Sequence, residues 1–198
     1  MVETHQKKIT IEGFPSYKYT RIKTPRLILK APQKSDREDW VALRERNEEY
    51  LKPFEPAWGH EWHTKGMFSK RIARHEDYWK NDAGYGFHLF LRPSAQLIGA
   101  VNINHVCRGA AQYAWLGYWI DKDFEGQGLM HEALDATLRF SFSILKLHRM
   151  NAATLLNNTR SQHVLEACGF KKEGVAEKYV EINGVRQDHI LYGLNKAS

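Results

Sequence analysis

Two glycines stand where a predicted strand leads into a predicted helix. Gly126 and Gly128 follow the aromatic-rich segment 113–120 and open a run, 127–147, that repeats apolar residues at helical spacing. Free N–H groups at a helix start attract anions, and glycine lets the backbone approach a phosphate closely. The spacing matches neither the Walker loop nor the dinucleotide fingerprint. The pattern therefore indicates a phosphate-binding turn, with an ordinary turn as the alternative.

A second polar group stands at the start of a predicted short helix over residues 158–168. Asn158 and Ser161 are three residues apart, so they share one face of that helix. This face is a candidate site. The alternative is that both residues only cap and decorate the helix.

The elements that must position these residues alternate along the chain. β-branched and aromatic segments bounded by turn residues predict strands, and apolar residues at helical spacing predict helices. The predicted strands cover residues 26–31, 86–92, 96–103, 113–120 and 149–156, with a further strand pair ending near 194. The predicted helices cover residues 36–48, 64–79, 127–147 and 158–168. This order predicts an α/β protein with a mixed sheet and helices packed on it.

The composition limits the classes of protein to which the chain can belong. The chain has 198 residues, which fits one domain, and no apolar run reaches the ~18 residues of a membrane span. Two cysteines are too few for a disulfide framework or a metal cluster, and no zinc motif follows the glycine turn, so we expect no metal and a reduced, cytoplasmic protein.

Positive charge is concentrated at the N-terminus. The formal charge is +6, and residues 1–30 hold seven Lys/Arg against two glutamates. We therefore expect a basic arm over residues 1–23, followed by a single domain over residues 24–198. The arm could contact RNA or a ribosome, or it could be a solvated leader.

The segment FEGQGLMHEAL, residues 124–134, resembles the pyrophosphate motif Arg/Gln-x-x-Gly-x-Gly/Ala of the GNAT acetyltransferases. The blocks TPRLILKAP, LKPFEP, LGYWI, NNTRSQHVLEACGFKKEG and INGVRQDHIL resemble, in the same order, the RimJ/RimL group of ribosomal-protein N-terminal acetyltransferases, and RimJ-type members in particular. The resemblance spans residues 24 to 194. It departs at Glu125, where the motif has Arg or Gln, and at Met130, which RimJ-type members share.

The resemblance implies a GNAT-like fold: a mostly antiparallel sheet of about seven strands with one splayed strand pair. It also implies that acetyl-CoA is bound by the strand before the glycine turn, by the turn itself and by the second polar group. The implied cofactor-binding residues are Tyr118, Trp119, Ile120, Gly126, Gln127, Gly128, Leu129, Met130 and Asn158. A backbone N–H near Trp119 would stabilise the developing oxyanion.

The resemblance also implies catalytic roles. Many GNAT enzymes have a tyrosine as general acid where Leu165 stands here, and RimL-like enzymes are thought to use a serine that matches Ser161. Ser161 is therefore the expected general acid. Glu55, in a proline-flanked loop expected to border the acceptor groove, is the candidate general base, or it orients the substrate's ammonium. His189 is expected to be structural.

The implied activity is acetyl transfer from acetyl-CoA to a primary amine, in particular the α-amino group of a ribosomal or other protein N-terminus. A small amine, such as a polyamine or an antibiotic, is the alternative acceptor. A non-catalytic acyl-CoA-binding or ribosome-associated module is the alternative of another class. The sequence leaves open whether the protein is a monomer or a homodimer.

Overall fold

A computed structural model describes residues 9–197 of the chain. The strands are β1 Thr10–Glu12, β2 Arg21–Lys23, β3 Leu27–Lys30, β4 Tyr85–Leu91, β5 Leu97–Cys107, β6 Tyr113–Ile120, β7 Arg149–Leu155, β8 Lys171–Ile182 and β9 Val185–Asn195. The helices are α1 Arg37–Arg46, α2 Glu48–Leu51, α3 Lys65–Lys80, α4 Leu129–Arg139 and α5 Thr159–Ala167. None of the helices in this part of the chain is long and apolar enough to cross a membrane.

One sheet organises the fold. Its strand order is β1-β2-β3-β4-β5-β6-β7-β9-β8, and every neighbouring pair is antiparallel except β6 and β7. The predicted mixed sheet with flanking helices is thus confirmed, but it has nine strands rather than about seven.

The two additional strands, β1 and β2, lie within residues 1–23, where we expected a basic arm. β1 pairs with β2, β2 pairs with β3, and Ile22 of β2 is fully buried. Strands of three residues show too little alternation to be recognised in the sequence. Lys7 and Lys8 of the expected arm lie outside the described residues.

Helices cover both faces of the sheet. Leu89 and Ile98 belong to a large buried cluster with α4 and α5, whereas their neighbours Phe90 and Leu97 belong to a smaller cluster with α1 and α3. Because successive side chains of a strand point to opposite faces, the two clusters lie on opposite sides of the sheet. Helix α4 ends at Arg139 rather than near 147, and a wider π-helical turn continues it.

A buried carboxylate joins α4 to the segment between β2 and β3. Glu132 accepts hydrogen bonds from the Thr24 hydroxyl at 2.6 Å, from the Arg26 N–H at 2.9 Å and from the Arg26 guanidinium at 2.7 Å. Arg26 in turn donates to the carbonyl of Gln127 at 2.9 Å. Burial alone would raise the pKa of Glu132, but these hydrogen bonds outweigh it and lower the pKa. These contacts hold the glycine turn in place through a segment about a hundred residues earlier in the sequence.

Glu132→Gln should lower the free energy of unfolding by about 1–3 kcal/mol at pH 7, because it removes charge-assisted hydrogen bonds from a buried site. The folded-state pKa is lowered, so the stabilisation is present above the unfolded pKa and is lost as the pH falls through the folded value. The difference between wild type and variant should therefore shrink below about pH 4.

Urea unfolding followed by tryptophan fluorescence measures both effects. Asp135→Asn is the matched control on the same helix, because Asp135 forms only an exposed ion pair with Arg139, and it should cost less than about 0.5 kcal/mol. Equal losses in the two variants would contradict the proposed anchor.

Candidate active site

Strands β6 and β7 part from each other halfway along their length. The paired residues run from Tyr113 with Arg149 to Leu116 with Ala152. Beyond them, β6 continues to Ile120 and β7 to Leu155, but the two strands no longer pair with each other. A cavity of about 570 Å³ occupies the gap and is lined by the ends of both strands, by the glycine turn and by α5. The splayed pair expected from the resemblance is present at the expected place.

Backbone donors of β6 face this gap. The N–H of Asp121 donates to the carbonyl of Ile98 on β5 at 2.8 Å. Because backbone polar groups alternate sides along a strand, those of Tyr118 and Ile120 point away from β5 and towards β7. They can therefore hydrogen-bond an extended ligand in the gap, and the N–H groups flanking Trp119 can meet a negatively charged oxygen.

The glycine turn forms the other end of the cavity. Gly126 and Gly128 have φ values of +72° and +71°, and Gly128 precedes the first turn of α4. A glycine at this position offers no side-chain cap, so the first N–H groups of α4 are free for an anion. A Cβ atom added at Gly126 would meet nothing within 4 Å, so the space beside its backbone is open. These features fit the diphosphate of a coenzyme A group.

Glu125, the departure from the family motif, forms an ion pair across the cavity mouth. Its carboxylate accepts a hydrogen bond from Arg160 of α5 at 2.8 Å. The Arg160 guanidinium lies over the rings of Tyr50 and Phe54, 5.2 Å and 5.9 Å from their centres. Glu125 thus stands beside the turn as half of an ion pair and not as a free negative charge.

Two hydroxyl groups meet on the α5 side of the gap. The hydroxyl oxygens of Tyr118 and Ser161 are 2.9 Å apart. Asn158 accepts a hydrogen bond from the Ser161 N–H at 3.1 Å and so caps α5, as the alternative interpretation of this pair held. Leu165, which stands where many GNAT enzymes have a tyrosine, is fully buried in the core. A tyrosine hydroxyl nevertheless lies beside α5: that of Tyr118 on β6 contacts Ser161, one helical turn before Leu165.

Glu55 lines the cavity from the loop after α2, where two groups hold its carboxylate. Arg44 donates to both carboxylate oxygens, one of them at 2.9 Å, and the Trp58 indole donates to one oxygen at 2.9 Å. The Arg44 guanidinium lies 3.9 Å from the centre of the Trp58 ring and 4.9 Å from that of Trp119. Glu55 is thus fixed in position and already paired with a charge.

His189 of β9 also lines the cavity and is nearly buried. Its Nδ1 lies 2.9 Å from the carbonyl oxygen of Gln187. A carbonyl oxygen only accepts hydrogen bonds, so Nδ1 carries a hydrogen and Nε2 is the ring nitrogen that can accept a proton. Sequence reasoning expected a structural histidine here and missed its position at the cavity, because the signal lies in the sheet register and not in the local sequence.

The cavity brings together ten of the eleven sequence-predicted site residues. They are Glu55, Tyr118, Trp119, Ile120, Gly126, Gly128, Leu129, Met130, Asn158 and Ser161. Gln127 is not among its lining residues: its side chain donates to the carbonyl of Asp123 at 3.0 Å, and its own carbonyl accepts from Arg26. Within residues 9–197, no three His, Cys, Asp or Glu side chains are placed to hold a metal ion.

Comparison with known proteins gives consistent results. The family described as "Acetyltransferase (GNAT) domain" matches residues 26–171. The chain is 37% identical over 155 residues to the probable N-acetyltransferase YjcK of Bacillus subtilis (strain 168), covering 78% of this chain and 86% of that protein. It is 32% identical over 176 residues to the ribosomal protein uS5-alanine N-acetyltransferase of Escherichia coli (strain K12), covering 88% of this chain and 90% of that protein.

A solved structure that contains a coenzyme A compound is also similar. Mycobacterium smegmatis RimJ in complex with CoA-disulfide superposes with a TM-score of 0.81 at 25% identity, covering 94% of this chain and 85% of that chain. The glycine turn, the parted strands and the cavity between them are the candidate coenzyme A site of this chain. The chain belongs to the GNAT acetyltransferase family and is related to the ribosomal-protein N-acetyltransferases of the RimJ/RimL group.

Proposed function

We propose that the protein transfers the acetyl group of acetyl-CoA to the α-amino group at a protein N-terminus. The observation that supports this most directly is that one cavity is lined both by the diphosphate-binding turn at Gly126 and Gly128 and by Glu55 and His189. Donor and acceptor groups can therefore meet in a single complex. The relatives named for acetylation of ribosomal-protein alanine indicate the class of acceptor.

Charge argues against a polyamine acceptor. An acceptor with several positive charges needs carboxylates that are free to bind it. Both carboxylates that line the cavity are already paired, Glu55 with Arg44 and Glu125 with Arg160. An α-amino group carries at most one positive charge, so it needs no such surplus of negative charge.

We assign the proton transfers to groups on the two sides of the gap. Acetyl-CoA supplies the thioester that the amine attacks. An α-amino group has a pKa of about 8, so at neutral pH it must lose a proton before it reacts. The free Nε2 of His189 accepts that proton, and the paired Glu55 orients the amine by accepting a hydrogen bond from it.

On the α5 side, the hydroxyl pair returns a proton to the departing sulfur. Burial raises the pKa of Tyr118 above its ordinary value, so this phenol keeps its proton at neutral pH. Ser161 is the immediate donor, and Tyr118 replenishes it across the 2.9 Å contact between their oxygens. Burial raises the pKa of the Cys168 thiol to about 12, which keeps it from acting as a nucleophile and favours direct transfer.

An acceptor screen tests the proposed function. Thiol release from acetyl-CoA, with mass spectrometry of the product, is measured for a peptide with a free N-terminal alanine and an internal lysine, for the same peptide with a blocked N-terminus, and for spermidine. We expect acetylation of the free α-amine alone. Acetylation of spermidine but not of the peptide would support the small-amine alternative, and binding of acetyl-CoA without any product would support a non-catalytic module.

Gly126→Ala should weaken coenzyme A binding about tenfold, because an L-residue is strained at φ +72° and its methyl group enters the space of the diphosphate. Titration calorimetry measures the Kd. The matched control is Gly109→Ala in the β5–β6 turn, where φ is +67° and the added Cβ also meets open space. Equal Kd values for wild type and Gly126→Ala would show that the diphosphate lies elsewhere.

Ser161→Ala should lower kcat by about 10²-fold while the Kd for coenzyme A stays nearly constant, because a general acid acts only on the chemical step. Tyr118→Phe should lower kcat less, and the double variant should not show the product of the two losses, since the hydroxyls act as a unit. Exposed Thr159→Ala, on the same helix, is the control. Full activity of Ser161→Ala would remove this residue from the mechanism.

His189→Gln should lower kcat by about 10²-fold, because the glutamine amide cannot accept the proton. Glu55→Gln should mainly raise KM for the peptide. Exposed His148→Gln controls for the loss of a histidine. The reverse pattern, with loss of kcat in Glu55→Gln and an active His189→Gln, would identify Glu55 as the base.

A further inference from the structure

A second cavity of about 210 Å³ lies between α3 and the strands β4 and β5. Its polar lining consists of cationic side chains and neutral hydrogen-bonding side chains, and no carboxylate of the described chain lines it. These polar residues are Arg71, Arg74, His75, Asn102 and Asn104, together with Tyr78 and Tyr85.

Arg71 is a cation without a partner at this cavity. Within residues 9–197, its guanidinium makes no hydrogen bond or ion pair, and its Nε is buried without a partner. The group lies 5.0 Å from the centre of the Trp40 ring. Burial and the nearby charges of Arg44 and Arg74 lower the pKa of Arg71 to about 10, so the side chain is still charged at neutral pH. Arg71 is half-buried, and a half-buried charge without a counter-ion among the described residues is a candidate binding group.

The nearby carboxylate that could neutralise Arg71 is already paired with another arginine. Glu55 is close enough to act on the Arg71 charge, but Arg44 donates to both of its oxygens. Both arginines lie against Trp40, and together they share one carboxylate. One positive charge is therefore left over beside the acceptor side of the active site.

Gly86 lets two side chains of this cavity approach the sheet closely. A Cβ atom at Gly86 would come within 2.5 Å of the His75 ring and 2.9 Å of the Asn102 side-chain oxygen. The glycine thus makes space for both side chains. Burial, with the neighbouring positive charges, lowers the pKa of His75 to about 3, so its ring is neutral and can donate one hydrogen bond.

Asn102 connects the two cavities, because it lines both. It pairs with Gly86 on β4 and with Gly117 on β6, so the three residues lie side by side across the sheet. Two strand spacings put the second cavity roughly 10 Å from the gap beside Gly117. A peptide advances at most ~3.6 Å per residue, so an acidic side chain at its second or third residue spans this distance, whereas a free amino acid does not.

We propose that the cavity at Arg71 binds an acidic side chain at the second or third residue of the acceptor peptide. The inference rests on the proposed function and adds a substrate preference to it. Arg71 supplies the positive charge, and Asn102 and His75 supply further hydrogen bonds to the carboxylate. A basic residue at the same place in the acceptor would meet Arg71 and Arg74 and be disfavoured.

The test compares kcat/KM for three peptides that share an N-terminal alanine and differ only at the second and third residues, which are Glu, Gln or Lys. Wild type should favour the Glu peptide over the Gln peptide about tenfold, and the Lys peptide should be the poorest. In Arg71→Gln the Glu-to-Gln ratio should fall to about one, whereas Arg71→Lys should keep part of it.

Exposed Lys70→Gln is the matched control: it removes the same charge from the same helix outside the cavity, and it should keep the wild-type ratio. A ratio near one in wild type, a ratio that survives Arg71→Gln, or a preference for free glutamate over all the peptides would each overturn the inference. Equal acetylation of the Glu and Gln peptides leaves the proposed function standing. No acetylation of any peptide, with acetyl-CoA bound, overturns the proposed function and this inference with it.

Discussion

The parting of β6 from β7 is the constraint on which the rest of the structure depends. Beyond Leu116 and Ala152, these two neighbouring strands of a continuous sheet no longer hydrogen-bond to each other. Unpaired backbone groups are costly unless a ligand or water satisfies them. The same gap gives access to both faces of the sheet. The hydroxyls of Tyr118 and Ser161 approach it from the α5 side, whereas Glu55 and His189 line it from the loop after α2 and from β9.

Arginine–carboxylate pairs hold the walls of this gap. Arg26 with Glu132 fixes the glycine turn, Arg160 with Glu125 bridges the mouth, and Arg44 with Glu55 fixes the acceptor side. These pairs occupy the carboxylates at the walls, whereas Arg71, within residues 9–197, has no ion-pair partner. The same distribution of charge thus positions the walls and underlies the proposed choice of acceptor.

Local patterns predicted the elements well. The sequence indicated every helix of more than eight residues and seven of the nine strands, because each carries its own periodicity or turn residues. It missed β1 and β2, which are three residues long. It identified Tyr118 only as a backbone contact, and it did not identify the roles of Arg26 and His189. These roles arise from contacts between residues far apart in the chain, which no local pattern encodes.

A crystal structure with acetyl-CoA and a slowly reacting acceptor peptide tests the account most directly. The account predicts the diphosphate against the backbone of residues 126–130, the pantetheine arm along Tyr118 and Ile120, and the thioester sulfur within hydrogen-bonding distance of the Ser161 hydroxyl. A β6–β7 gap closed by side chains, or a cofactor bound outside it, would contradict the account.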